Sequence, residues 1–297
     1  MKSGKIVAVL LSATLLMTSF FGCGQKLQNI SLGEEPPQRV VALSSSLAEI
    51  WLLAGGHLVG TTSDTVEREF SELPKDITVV GTVKEPGLEA ILDLRPDFVI
   101  LSADLAGHLA LGQALTNGNI PHIYIHVETF PDYYDTLEFF CSMTGNTELF
   151  EQNGEAVKEH IDRLLAEYEP PSIAASYLLL RVHSSGGKVI AQDHVACDIL
   201  GDLGAINIAA QNQSLLSDLS LEVILEQDPD FIFVVTMGEE AVALQTLEQI
   251  FAVQPAWQKL SAVGQQRVHI LPKALFHYKP NVKWGEAYET LIQLLTA

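Results

Sequence analysis

Three histidines, His126, His183 and His277, each end or follow an apolar run that reads as a β-strand. His277 lies in Phe276-His277-Tyr278-Lys279-Pro280-Asn281, the densest group of chemistry-bearing side chains in the chain. Imidazole nitrogens and phenol oxygens bind metals, aromatic faces suit a flat conjugated ligand, and the Lys279 ammonium can neutralise a carboxylate. Arg181 stands inside the apolar stretch Tyr177 to Val182, where an unpaired guanidinium is costly; it must meet a buried acid or an anionic ligand group. Ser44, Ser45 and Ser46 precede a helical run, so they offer donors to an anion or cap the helix near Leu47. Each histidine taken singly serves as a structural residue as readily as a ligand, and Trp284, just downstream, suits either a ligand stack or the core.

The elements that must position these groups are legible along the chain. Val40 to Leu43, Leu58 to Thr61, Phe98 to Leu101 and His122 to Val127 read as strands, alternating with helical runs at Leu47 to Ala54, Leu88 to Leu94 and Leu109 to Leu115. That alternation predicts an α/β fold with a mostly parallel, doubly wound sheet. From Thr147 to Tyr168 apolar residues recur at helical spacing, and Pro170-Pro171 ends the run, which predicts one long helix. A second series follows at Tyr177 to Val182, Lys188 to Ala191, Phe231 to Val235 and Val268 to Leu271, closed by a helix from Trp284 to Leu295. The expected organisation is a first α/β lobe over 38–146, a linker helix over 147–169 and a second α/β lobe over 170–297, with a ligand cleft between the lobes. Ligands of such folds bind beyond the carboxyl ends of strands. That rule selects Ser44 to Ser46, Ser102 to Asp104, His126 to Glu128, His183 to Ser185, Thr236 to Gly238 with Met237 at its centre, and Phe276 to Lys279.

A formal net charge of -20, from 17 basic and 37 acidic residues among 297, leaves no basic surface for nucleic acid. Residues 1–22 carry Lys2, Lys5 and then a short apolar run, the pattern of an export signal rather than a membrane span. The run ends at Phe20-Phe21-Gly22-Cys23, which resembles the lipobox of bacterial lipoproteins with Phe20 in place of the usual leucine. Lipid on Cys23 and a tether over 23–37 would hold an acidic body beside an anionic membrane that does not itself attract it. The remaining Cys141 and Cys197 are expected to be free thiols. No His-Glu-x-x-His, Gly-x-Ser-x-Gly or Cys-x-x-Cys motif occurs, so the sequence nominates no catalytic residue; an exported enzyme on this fold remains a rival reading.

The chain also repeats itself. Leu88-Glu89-Ala90-Ile91-Leu92-Asp93-Leu94-Arg95-Pro96-Asp97-Phe98 aligns without a gap on Leu221-Glu222-Val223-Ile224-Leu225-Glu226-Gln227-Asp228-Pro229-Asp230-Phe231. Each copy is a helix opened by a glutamate, a Pro-Asp turn and a strand, so the two halves share a unit.

These units, together with Arg39 to Ser46, Gly55 to Gly60 and Val80-Gly81-Thr82, resemble the helical-backbone substrate-binding lipoproteins of ABC importers for ferric siderophores, haem and vitamin B12. The resemblance spans Gln38 to Leu295. It implies a monomeric extracytoplasmic receptor, lipid-anchored to the outer face of the cytoplasmic membrane, without an intrinsic cofactor. It would deliver an iron chelate, haem or corrinoid to a permease dimer after a small closure of its lobes. It further implies that Glu89 and Glu222 meet arginines of the two permease subunits, although a glutamate in a helix's first turn is also favoured by the helix dipole alone. A receptor for bare zinc or manganese, using His126, His183 and His277, is the neighbouring alternative.

Overall fold

The computed structural model describes residues 35–68, 73–210, 212 and 220–297; the expected signal and Cys23 lie outside them. The first lobe runs β1 (Val40–Ala42), α1 (Ser45–Leu53), β2 (Leu58–Thr61), α2 (Ser63–Glu67), β3 (Thr78–Val79), α3 (Leu88–Asp93), β4 (Phe98–Ser102), α4 (Ala106–Asn117), β5 (His122–Ile125) and α5 (Phe130–Thr144). Its strands form an all-parallel sheet in the order β3-β2-β1-β4-β5. The central strands β1 and β4 are apolar along their length and buried apart from the last residue of β4, as expected where helices cover both faces.

The expected linker is present as α6 (Thr147–Phe150), a π turn (Glu151–Glu155) and α7 (Ala156–Glu167). The π turn has a local cause. It turns buried Asn153 inward, where Nδ2 donates to the Leu53 carbonyl at 2.9 Å and its own carbonyl accepts from Tyr133 Oη at 2.8 Å. Gly154 follows because a Cβ there would stand 2.8 Å from the Phe150 ring.

The second lobe runs β6 (Ser176–His183), β7 (Gly186–Ile190), α8 (Val195–Asp202), β8 (Ile206–Asn207), α9 (Leu221–Gln227), β9 (Phe231–Thr236), α10 (Glu240–Val253), a 3-10 turn (Pro255–Lys259), α11 (Ser261–Gly264), β10 (Val268–Ile270), α12 (Lys273–Phe276), a 3-10 turn (Asn281–Lys283) and α13 (Trp284–Thr296). Its sheet has the order β10-β9-β6-β7, with β8 also beside β6. All pairs are parallel except the β6–β7 hairpin, which Gly186 turns at φ 146°. One antiparallel strand thus lies within the mostly parallel sheet that the sequence suggests.

The repeat has a structural meaning beyond its turn. In the first copy Asp97 accepts from the backbone amides of Gln38 and Arg39 at 2.8 and 2.9 Å. In the second, Asp230 accepts from the amide and hydroxyl of Ser176 at 2.8 and 2.7 Å. Each aspartate pins the start of the neighbouring strand, β1 or β6. Arg95 and Asp228, at the same repeat position before proline, both take the left-handed conformation (φ 47° and 39°).

The last segment returns between the lobes. Buried Asn281 (φ 51°) donates from Nδ2 to Glu49 Oε2 at 2.6 Å and to the Ser46 carbonyl at 3.1 Å, joining the end of the chain to α1. Asn281→Ala should lower unfolding stability by about 2 kcal/mol in urea titration, since it removes two hydrogen bonds, one of them to a carboxylate, and strains the left-handed position. Asn281→Gly, free of the strain, should lose less. A loss below about 0.5 kcal/mol for Ala, the range of ordinary surface changes, would show that the clamp is not structural.

Candidate functional site

The carboxyl ends of the two sheets border a cleft of about 1150 Å³. In the first sheet the strand order reverses between β1 and β4, and the loops leaving those strands carry Ser44 to Ser46 and Ser102 to Asp104. In the second sheet, adjacent β6 and β9 deliver Arg181 and His183, and Met237 with Gly238. Of the expected contact residues, Ser44, Ser45, Ser46, Ser102 and His126 from the first lobe, and Arg181, His183, Met237, His277, Tyr278 and Lys279 from the second, border the cleft, whereas Ala103, Val127, Ser185 and Thr236 of the same expected segments are not on its wall.

Several of these side chains are already held. Ser44 caps α1, accepting from the Leu47 amide at 3.5 Å, while it also lines the cleft, so the two readings of this serine coexist. The amide of Ser45 donates to Asp64 Oδ2 at 2.9 Å. Ser102 Oγ accepts from the Asp104 amide at 3.2 Å, and Asp104 Oδ1 lies 2.6 Å from His126 Nδ1. His183 Nδ1 is turned onto Ser185, 2.9 Å from its hydroxyl. Lys279 forms an ion pair with Glu128 across the lobes, both side chains largely shielded. Arg181 has no carboxylate within salt-bridge distance among the described residues and borders the open cavity. Of the two partners that the sequence left open for it, the buried acid is not found among the described residues.

The cluster at the end of α12 is the most shaped part of the site. Tyr278 lies edge-on to His277, with ring centroids 4.9 Å apart. The Arg68 guanidinium sits 4.7 Å above the Tyr278 ring and the Lys273 ammonium 5.7 Å from it. Arg68 is also anchored by Glu49 at 3.2 Å, and Lys273 Nζ donates to the Gly238 carbonyl at 2.5 Å. Burial, then Lys273, Arg181 and Arg68, hold the His277 imidazole down to about 4. Burial, then Arg181 and Lys279, push that of His194 to about 3. Both rings are therefore neutral at neutral pH and add no positive charge to the wall.

Asp64, Glu67, His194 and Lys273 line the cleft without having been singled out by sequence. Asp64 and Lys273 follow strands β2 and β10, so the strand-end rule applied to those two strands would have found them. His194 is the N-cap of α8, its Nδ1 accepting from the Ala196 amide at 3.1 Å, a capping role with no common sequence signature. Trp284 is fully buried, edge-on to Phe130 at 6.0 Å, and belongs to the core rather than to a ligand stack. The three-histidine set expected for bare zinc or manganese is not assembled. Among the described residues no three His, Cys, Asp or Glu side chains gather to hold a metal ion, because His126 faces Asp104 and His183 faces Ser185. Cys141 and Cys197 are free thiols, each pushed up to about 11 by burial and so unreactive as thiolates. Glu89 and Glu222 are exposed in the first turns of α3 and α9.

A cleft between two α/β lobes agrees with what the chain is similar to. Residues 40–275 match the family described as periplasmic binding protein. A putative ABC transporter substrate-binding lipoprotein of Bacillus subtilis, YhfQ, is 24% identical over 271 residues, covering 85% of this chain and 81% of the relative. The Fe(3+) dicitrate-binding periplasmic protein FecB of Escherichia coli is 25% identical over 240 residues, 79% of this chain and 77% of its own. The crystal structure of the vitamin B12 binding protein BtuF of Vibrio cholerae superposes with a TM-score of 0.69 at 21% identity, covering 88% of this chain and 97% of that one, and shows the same fold. The family and these neighbours are binding proteins, which removes the rival reading of an exported enzyme. The chain belongs to the periplasmic binding protein family.

Proposed function

We propose that this protein is an extracytoplasmic lipoprotein that captures a metal chelate, a ferric siderophore first and haem or a corrinoid next, and hands it to the permease dimer of an ABC importer. The observation that carries the reading is the cleft of about 1150 Å³ lined from both lobes. That volume exceeds the usual range for drug-sized ligands and is far larger than a bare ion needs. Arg181 and Lys273 offer cations to the oxygen-rich surface of a chelate, and the neutral imidazole of His277 supplies a further donor or acceptor. Names such as Fe(3+) dicitrate-binding protein among the relatives support iron as the cargo.

In this reading the export signal over 1–22 is removed, Cys23 carries lipid, 23–37 is the tether, and lobes over 38–146 and 170–297 work as a monomer about the helix over 147–169. Glu89 and Glu222 dock the receptor. They are exposed, occupy equivalent positions of the repeat, and lie in lobes that would face different permease subunits.

Equilibrium dialysis of the purified protein against ferric citrate, haemin, cyanocobalamin and zinc chloride should show saturable binding of a chelate. Arg181→Met should weaken it about tenfold, the value of one charge-assisted hydrogen bond. Saturation by free zinc alone would overturn the reading. In cells, Glu89→Ala and Glu222→Ala should each lower uptake of that chelate at least tenfold with affinity in solution unchanged; normal uptake in both variants would remove them from docking.

A further inference from the structure

We infer that the transported chelate carries a cationic arm, because the two walls of the cleft are charged in opposite senses and only a ligand with two unlike poles satisfies both. The inference rests on the receptor reading above. The titratable groups that the first lobe places on the cleft, apart from His126, are all acids: Asp64, Glu67, Asp104 and Glu128. The second lobe opposes them with Arg181, Lys273 and Lys279, and Asp193, exposed on the loop before α8, is its one carboxylate on the wall among the described residues. Arg68, the first-lobe cation nearest the site, is anchored by Glu49 and lies over Tyr278.

Part of this charge is already engaged within the protein. Glu128 is paired with Lys279, and Asp104 is bonded to His126. What is left is separated by lobe. On the first wall, Asp64 has one oxygen on the Ser45 amide and the other buried with no partner, and Glu67 is exposed. On the second, Arg181 borders the cavity and Lys273 meets a carbonyl oxygen and an aromatic face. His277 and His194 stay neutral and do not spread the positive charge further. A wholly anionic chelate would be held by the second wall and repelled by the first, and a wholly cationic one the reverse. A chelate whose oxygen-rich metal end lies on Arg181 and Lys273, with an ammonium or guanidinium reaching Asp64 and Glu67, meets complementary charge at both ends.

The test compares probes that differ only in that arm. Ferrioxamine B is an iron trihydroxamate with a terminal ammonium, and its N-acetyl derivative keeps the metal centre without the charge; ferric citrate serves as the all-anionic probe. Equilibrium dialysis of the full protein should show ferrioxamine B bound at least tenfold more tightly than the N-acetyl form. The double variant Asp64→Asn with Glu67→Gln should erase the difference by weakening ferrioxamine B, and Glu67→Gln alone, at an exposed position, should reduce it if the double variant folds poorly. Equal binding of the two hydroxamates, tighter binding of ferric citrate than of either, or an increase in ferrioxamine B affinity in the variants would overturn the cationic arm. A protein that binds ferric citrate, haemin or cyanocobalamin with no preference for the ammonium remains a receptor and loses this specificity; one that binds no chelate at all loses both.

Discussion

The cleft depends on the apolar seam beneath it. One continuous core runs from β1 and β4 of the first lobe through α1 and α5, across Trp284 and Tyr288 of α13, to α8 and β9 of the second. Fully buried Trp284 is edge-on to Phe130 at 6.0 Å, and Tyr288 donates to Asp202 Oδ2 at 2.5 Å. The linker is held to the same helix, with Gly285 packed so closely on His160 that a Cβ would come within 2.4 Å of its ring, and His160 Nε2 is 3.0 Å from Glu289. Emptying the site of one such aromatic side chain costs about 3–5 kcal/mol, and opening the seam would expose several. The lobes can rock on this seam only by small shear, because a wide hinge would have to unpack it. The floor of the binding site is thereby formed before any ligand arrives.

Polar contacts across the seam then fix how the lobes are aligned. Asn281 reaches Glu49 and the Ser46 carbonyl, while Arg68 joins Glu49 to the face of Tyr278. Burial raises the Glu49 carboxyl from its ordinary value, and Arg68, Asn281 and Lys283 oppose that rise. An ion pair shielded to this degree adds little net stability, because desolvation offsets attraction, but it allows one arrangement and penalises others. Tyr278 and His277 inherit their positions from it. The same residues that bind the lobes together therefore also aim the aromatic corner of the site.

Sequence alone revealed most of this where one local rule governed the outcome. Buried parallel strands such as Phe231 to Val235 read as unbroken apolar runs, and the strand-end rule pointed to most of the residues that border the cleft, while Arg181 stood out by its charge inside an apolar strand. The repeated Pro-Asp was visible as a turn, but not as the pin of a neighbouring strand, because the partners of Asp97 and Asp230 lie more than fifty residues away in each lobe. Helix α5 was passed over although its capping box is present, since that box uses Asp132 in place of the usual Glu and its body is rich in aromatics. The fate of Trp284 and of the three histidines was undecidable from spacing. Whether a ring faces a cavity, a carboxylate or a second ring is settled by contacts between segments far apart in the chain.

The charge of the whole molecule and the charge of the cleft have different consequences. A body of net charge -20 repels an anionic chelate at a distance, yet at physiological ionic strength that field is screened within about 8 Å of the surface. Inside the cleft, partial burial leaves the charges of Arg181, Lys273 and Asp64 less screened than those outside. Long-range steering is therefore weak and unselective, while discrimination is concentrated where ligand and wall touch. A receptor built this way gains little from a larger net charge of either sign. On the proposed reading its selectivity rests on the lobes keeping unlike charges on opposite walls, an alignment that the seam and the Asn281 clamp favour.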